Sequence, residues 1–371
     1  MSDLLRSLRS AKRRKFSVVV MPDFFIDRFV TYSGEIERFS AKVAEVAARR
    51  GGNIHGVEQT ELRGGNAANT AATLATLGAR VYPIITTNRF GYHLLKFYLK
   101  PLGVDLSHVK VNGEVALTTA LEINYKGEKV NIMMGDLGSL PNFGPENLTE
   151  DDWRLLEEAD YVCVFNWAST QQWGTELAEK VFSHVKEKGR AKTYYDTGDP
   201  SPNKQGIPKL VRKVLLSDLV DVFGVNENEA FWYASQLNMK IKRLKNKLRH
   251  NELARECART LAKNLSARVD LHTAAFAGSF FKQNEVLVPA FSVSALRATG
   301  AGDSWNAGNI VGDALNLPDS CRLTLANAVA AYYVSNPTAE HPTLSQLVEF
   351  CSKQKPISLS LIHISEPTRP Y

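Results

Sequence analysis

Four short segments carry the side chains best suited to chemistry. The first is RATGAGDSWNAG at residues 297–308. A Gly-Ala-Gly turn entering a helix (Gly300, Ala301, Gly302) lets backbone N–H groups converge on an anion, where the helix dipole adds its attraction. Asp303 stands at the mouth of that turn. A carboxylate there repels a bound anion, unless its task is to take a proton from a hydroxyl that attacks a phosphoryl group held by those N–H groups. The same residue also reads as an acid in the first turn of an ordinary helix. The second segment is GGNAAN at residues 64–69. Gly64 and Gly65 allow close backbone approach, and Asn66 and Asn69 can donate and accept, which suits a polyhydroxylated ligand; a glycine turn with an Asn near the N-cap looks alike. The third is PDFFID at residues 22–27, following the first apolar run. Asp27 can accept from two vicinal hydroxyls at a strand's carboxyl end, where open α/β sheets bind ligands, or be a solvated loop acid. The fourth is NENE at residues 226–229. Glu229 can order Mg²⁺ through waters when phosphates are the main ligands, or be one more acid in a first helical turn.

These segments need a frame. Apolar runs alternate with helical patterns from residue 16 to about 355. Residues 16–21 (FSVVVM) predict a buried strand, as do 81–86, 161–165, 193–195, 219–224 and 269–273. Residues 69–77 predict a small-residue helix ended by Gly78. Lys126-Gly127 predicts a hairpin between 115–124 and 130–134. A strand over 290–293 and a helix over 304–315 would flank the Gly-Ala-Gly turn, and 343–354 closes the chain as an amphipathic helix. This rhythm predicts one α/β domain with a mostly parallel sheet. Residues 28–63 and 112–135 break it and predict a smaller lid-like excursion.

The chain has 371 residues, enough for one large α/β domain or two smaller ones, and 44% hydrophobic with 23% charged residues fits a globular protein. No apolar run reaches the ~18 residues a membrane span needs. The four cysteines (163, 257, 321, 351) form no CxxC pair, which argues against a disulfide framework or zinc ribbon and fits a reducing cytoplasm. The net charge of +6 is concentrated in residues 1–15, with six basic residues against Asp3, and in residues 239–250, with six more. The remainder is mildly acidic. Such runs are more often solvated faces or tails than nucleic-acid surfaces. Residues 359–369 (LSLIHISEPTR) resemble a translated sequencing-library adapter, so 359–371 are expected to be a non-native tail outside the fold.

Read together and in order, the four segments resemble those of the ribokinase-like (PfkB-type) carbohydrate kinases, over roughly residues 16–355. GGNAAN matches the family's GGxxxN, whose closing Asn, here Asn69, binds sugar hydroxyls. Asp27 falls where the family places a carboxylate on the substrate. Asn226 and Glu229 match NxxE, associated with phosphate and Mg²⁺. GAGD matches the anion hole and catalytic base. Asn327 resembles a nucleotide-side position on a late helix. The chain also departs from the pattern. Arg297-Ala298 stand where the second signature begins Asp-Thr, with only Thr299 agreeing, and this leaves activation by a monovalent cation open. Asn88 replaces an Asp-containing turn. His272 stands where a Thr-x-Gly strand end often wraps the nucleotide and could face it, although a satisfied structural histidine is the more ordinary reading.

The resemblance implies a three-layer α/β/α fold with a small β lid, and transfer of the γ-phosphoryl of ATP, with Mg²⁺, to a hydroxymethyl group of a sugar or nucleoside. Asp303 would be the base, with the N–H groups of Ala301, Gly302 and Asp303 as the anion hole. Asp27, Gly65 and Asn69 would hold acceptor hydroxyls, and the strand end at Asn166-Trp167 would help set which acceptor fits. Trp167 and Trp305 are open to two readings, a stack on a base or burial in the core. No GxxxxGK[ST] segment occurs, so the phosphate cradle is not a P-loop. A homodimer through the lid is among the assemblies the resemblance allows. Two other classes stay in view: a catalytically silent homologue, motivated by Arg297-Ala298, and a nucleic-acid-associated protein, motivated by the basic segments.

Overall fold

The computed structural model describes residues 15–354, with 4–6, 8, 356 and 357. Most of the basic segment 1–15 and the adapter-like 359–371 therefore lie outside the described residues.

Among the described residues twelve strands form two sheets. The large one uses β1 (Ser17–Met21), β4 (Arg80–Pro83), β7 (Tyr161–Phe165), β8 (Lys192–Asp196), β9 (Val222–Asn226), β10 (Arg268–His272), β11 (Phe276–Phe281) and β12 (Asn284–Pro289), in the order β12-β11-β10-β9-β8-β7-β1-β4. From β10 to β4 all neighbours are parallel; β11 and β12 close one edge as an antiparallel hairpin. The central strands are buried on both faces, and their side chains divide by alternation. Val19, Met21, Val162 and Val164 enter one core, and Val18, Val20, Cys163 and Phe165 the other. The first core is covered by helices that include Gly174–Lys188, Glu227–Leu237 and His250–Asn264. The second lies under Asn66–Thr76, Ala301–Ala314 and Asp319–Ser335. Near-continuous apolar strands between two helical layers are what a parallel sheet requires.

The second sheet has four strands, β2 (Phe25–Glu35), β3 (Glu58–Gly64), β5 (Ala116–Tyr125) and β6 (Glu128–Asp136), in the order β3-β2-β5-β6. Its β5–β6 turn has positive φ at Lys126 (52°) and Gly127 (81°), the hairpin geometry expected of that pair. β2 faces Gly64 with Phe25 and Thr118 with Asp27, so the strand that carries Asp27 is clamped between β3 and β5.

Several sequence expectations shift: the strands expected over 81–86 and 219–224 form at Arg80–Pro83 and Val222–Asn226, and three further differences have local causes. The strand over 290–293 is absent: β12 ends at Pro289, opposite the first residue of β11, beyond which Ala290 N–H still donates to Ala275 O (2.9 Å) and Phe291 makes only an isolated bridge to Pro356. The helix expected from residue 69 begins at Asn66, because the carboxylate of Asp23, 43 residues upstream, receives the Asn66 N–H (2.8 Å). The helix expected from 304 begins at Ala301. The basic stretch 239–250 forms a short helix, Lys240–Leu244, whose Ile241 is buried in the main core with Leu244 and Leu248 packed against it. All four cysteines are buried and free. Among the described residues no helix is long and apolar enough to cross a membrane.

Candidate active site

The helix Ala301–Ala314 runs into the second core with almost every residue buried, and its N-terminus opens at the carboxyl ends of the parallel strands. Gly300 caps it in the left-handed region (φ 82°), and a Cβ there would fall 2.7 Å from the Tyr333 hydroxyl. Only glycine fits both constraints. The Ala301 N–H turns back to Ala298 O (3.2 Å), which removes it from the expected anion hole. Gly302 and Asp303, at the second and third helical positions, are left with N–H groups that have no intrahelical acceptor.

Asp303 is buried, and its Oδ2 accepts from Asn69 Nδ2 at 2.9 Å. Asn69 is held in place because Asp23 anchors its helix: the Asp23 carboxylate accepts from the N–H groups of Asn66 and Ala67 and from Asn166 Nδ2, each at 2.8 Å. Asn166 in turn takes positive φ (50°) and donates its N–H to Asp196 O (3.1 Å). One buried carboxylate thus joins the first strand's exit, the GGNAAN helix and the end of β7. Gly64 has a steric reason to be glycine, since a Cβ there would run into the Asp27 carboxylate on the neighbouring strand.

These groups surround a cavity of about 310 Å³. Of the residues singled out in the sequence, Asp27, Gly65, Asn66, Asn69, Asn166, Asn226, Glu229, His272, Thr299, Gly300, Gly302 and Asp303 line it. Gly64, Ala301 and Asn327 do not. Asn327 is engaged elsewhere, its Oδ1 accepting from Trp305 Nε1 (2.9 Å) and its Nδ2 donating to Pro289 O (3.0 Å), so it braces the helix rather than facing the cavity. Trp167 and Trp305 are both core residues: the former's Nε1 donates to Thr175 Oγ1 (3.0 Å), and the latter packs against His272 with ring centroids 5.0 Å apart. Sequence reasoning missed Asp196, Thr118, Phe25 and Met133, which also line the cavity. Asp196 directly follows the predicted strand 193–195, a position at a carboxyl end that deserved the same scrutiny as Asp27.

Burial dominates the electrostatics. It pushes the Asp303 carboxyl well above the ordinary range, with Asp23 and Asp196 adding to the rise and Asn69 and Arg63 opposing it. Burial lifts Asp27 to about 6, opposed by a hydrogen bond from Thr118 and reinforced by Asp23. Two carboxyls poised above their solution values in one cavity are suited to proton transfer.

For metal ions the donor set says less. Among the described residues no group of three or more His, Cys, Asp or Glu side chains could hold one. Glu229 closes a capping box: its oxygens accept from Asn226 N (2.8 Å) and Asn226 Nδ2 (2.7 Å). A divalent cation beside it would draw most of its ligands from phosphate and water. Next to the Gly-Ala-Gly turn, Arg297 donates to the carbonyl oxygens of Tyr333 (3.1 Å), Asn336 and Pro337 (3.0 Å) at the end of the helix Asp319–Ser335. A tethered guanidinium already serves those carbonyls, so the residues at this place do not fit a monovalent cation.

Comparison with known proteins bears on the family and the fold. Residues 32–346 match the model of the "pfkB family carbohydrate kinase". No curated protein matches significantly. Among solved structures, an Arabidopsis thaliana ribokinase complexed with ribose and ATP superposes with a TM-score of 0.67 at 17% identity, covering 91% of this chain and 99% of that one. A Cryptococcus neoformans var. grubii serotype A ribokinase in complex with ADP gives 0.65 at 18%, covering 91% and 99%. A Sinorhizobium meliloti adenosine kinase gives 0.65 at 17%, covering 87% and 95%. These likenesses show a ribokinase-like fold.

Proposed function

The chain belongs to the pfkB family of carbohydrate kinases, and on that footing we propose that it moves the γ-phosphoryl of ATP to a hydroxymethyl group of a sugar or nucleoside. The observation that carries this reading is the buried Asp303 at a Gly-Ala-Gly helix entrance, bonded to Asn69 and sharing one cavity with Asp27. In the reaction, Asp303 takes the proton of the acceptor hydroxyl as its oxygen bonds to the γ-phosphorus. The bond to the bridging oxygen breaks and ADP leaves. The N–H groups of Gly302 and Asp303 meet the charge on the transferring oxygens, and positioning supplies much of the rate. Asp27, Asn69 and Asn166 hold acceptor hydroxyls. Thr299, Asn226 and His272 lie on the donor side. Mg²⁺ would neutralise phosphate charge, with Glu229 reaching it through water. The four-stranded sheet acts as a lid that excludes water, whose attack would waste the nucleotide.

The test is ADP release with ATP and Mg²⁺ across pentoses, hexoses, their phosphates and nucleosides, repeated with other nucleotide donors. Turnover that depends on one acceptor class supports the reading. No turnover with any acceptor and donor would favour a silent homologue.

A further inference from the structure

Behind Asn69 lies a set of polar groups that phosphoryl transfer as described does not use. Arg63, at the end of β3, donates from Nε to Asn69 Oδ1 (3.1 Å) and sets Nη2 2.9 Å from His341 Nε2. His341 is buried, stacked on the Tyr333 ring at 4.7 Å with the planes within 9°. Its Nδ1 lies 2.9 Å from Thr73 Oγ1 and 3.4 Å from Ser304 Oγ. A guanidinium can only donate, so Nε2 carries the lone pair and Nδ1 the proton. The Thr73 hydroxyl then donates to Asn69 O (3.0 Å), and every group in the chain has its partner. Burial, with Arg63 alongside, pushes the His341 pKa well below the ordinary value, in keeping with a neutral imidazole.

Among the described residues Arg63 makes no ion pair with a carboxylate within 4.0 Å. Its charge is directed instead at an amide oxygen and an imidazole. That arrangement fixes which way the Asn69 amide points. With Oδ1 held by Arg63, Nδ2 faces Asp303 Oδ2; the flipped amide would set oxygen against carboxylate and NH₂ against guanidinium. The other groups around Asp303 do not help it ionise: Asp23 comes from the β1–β2 turn and Asp196 from the end of β8, while Tyr333 and His341 supply no positive charge. We infer that Arg63 is a positioning residue for Asp303, which orients Asn69, aims the carboxyl and favours its ionised form, with His341 as the anchor that holds the guanidinium in place.

The kinetic half of this inference rests on Asp303 being the base; the structural half does not, and the test separates them. Full-length protein carrying ¹³C-carboxyl aspartate is titrated by NMR, with the Asp303 resonance assigned by its loss in Asp303→Asn. In Arg63→Gln the midpoint should move up, and the acid limb of kcat/KM for an acceptor found in the panel should move with it. At pH 7 that costs ~10-fold or more in kcat/KM, recovering toward alkaline pH. Arg63→Lys keeps the charge without the two-pronged hold, so its midpoint should lie between the two, which keeps the test alive if the Gln variant does not fold. A midpoint unchanged in a folded variant overturns the inference, as does a loss of turnover by the same factor at every pH. If no acceptor is turned over, the NMR titration still decides the role of Arg63 while the kinase reading fails separately.

Discussion

Asp270 and Asp303 are both buried carboxylates at the helix Ala301–Ala314, one bonded to it and one carried on it, and their surroundings drive them in opposite directions. Asp270, on β10, is ringed by partners: Arg322 Nη1 at 2.7 Å, Arg268 at 3.0 Å and Asn309 Nδ2 at 3.0 Å. Burial would raise its pKa, but the two guanidinium groups outweigh burial and hold it below the usual carboxylate range. Asp303, two turns earlier on the helix that carries Asn309, has one amide and a charge held at one remove, and burial wins. The lesson concerns what each charge is for. A paired buried acid ties β10 and β11 to the helices above them through Arg322, which also reaches Ser279 (2.9 Å). An under-paired one stores free energy that chemistry at the cavity can draw on.

The comparison can be broken first at Asp270. Asp270→Asn leaves the buried Arg322 with only the half-exposed Asp319 as counter-charge (2.8 Å) and should cost up to ~3–5 kcal/mol of unfolding free energy, read by urea denaturation. Asp303→Asn should do the reverse, holding or raising the thermal midpoint, because it removes a charge that burial disfavours. pH sharpens the contrast. For Asp270, whose folded pKa is depressed, the stabilisation is present above the unfolded value near ~3.9 and is lost as pH falls from there through the folded pKa. For Asp303, whose folded pKa is raised, stability is greatest below the unfolded value and declines as pH rises through the folded pKa. The midpoint advantage of Asp303→Asn should therefore be largest near pH 8 and vanish near pH 4. A smaller effect is expected at Asp27. Asp27→Asn should raise the acceptor KM ~10-fold while changing kcat less, and the wild-type acceptor affinity should weaken as pH falls through about 6. The smallest effect concerns Arg297. Replacing potassium by sodium or a bulky organic cation at constant ionic strength should leave turnover unchanged, since the carbonyls of Tyr333, Asn336 and Pro337 already have their cation. A potassium requirement would contradict that assignment.

What the sequence made legible is what depends on local backbone. The Gly-Ala-Gly turn, the GGNAAN helix entrance and the Lys126-Gly127 hairpin each announce themselves within a few residues, and all three form. The parallel sheet was readable because its strands are apolar on both faces. Groups that act across long separations were not readable. Asp23 caps a helix 43 residues away, Arg63 meets His341 across 278 residues, and Asp270 meets Arg322 across 52. Each reads in sequence as an ordinary charged residue. The strand expected over 290–293 does not form because its neighbour β11 begins at Phe276, opposite Pro289, and a partner's start is not written in the apolar pattern of 290–293. Asn327 lies off this cavity, because position on a late helix does not reveal which way an amide faces, and here it faces Trp305.

The most direct test of the account is acceptor-dependent ADP release by wild type and Asp303→Asn, measured beside their thermal midpoints. The account predicts a fall of at least ~10²-fold with a midpoint equal to or above wild type. Turnover indifferent to the substitution, or a fall matched by a collapse in stability, would contradict the claim that Asp303 is kept under-paired for catalysis.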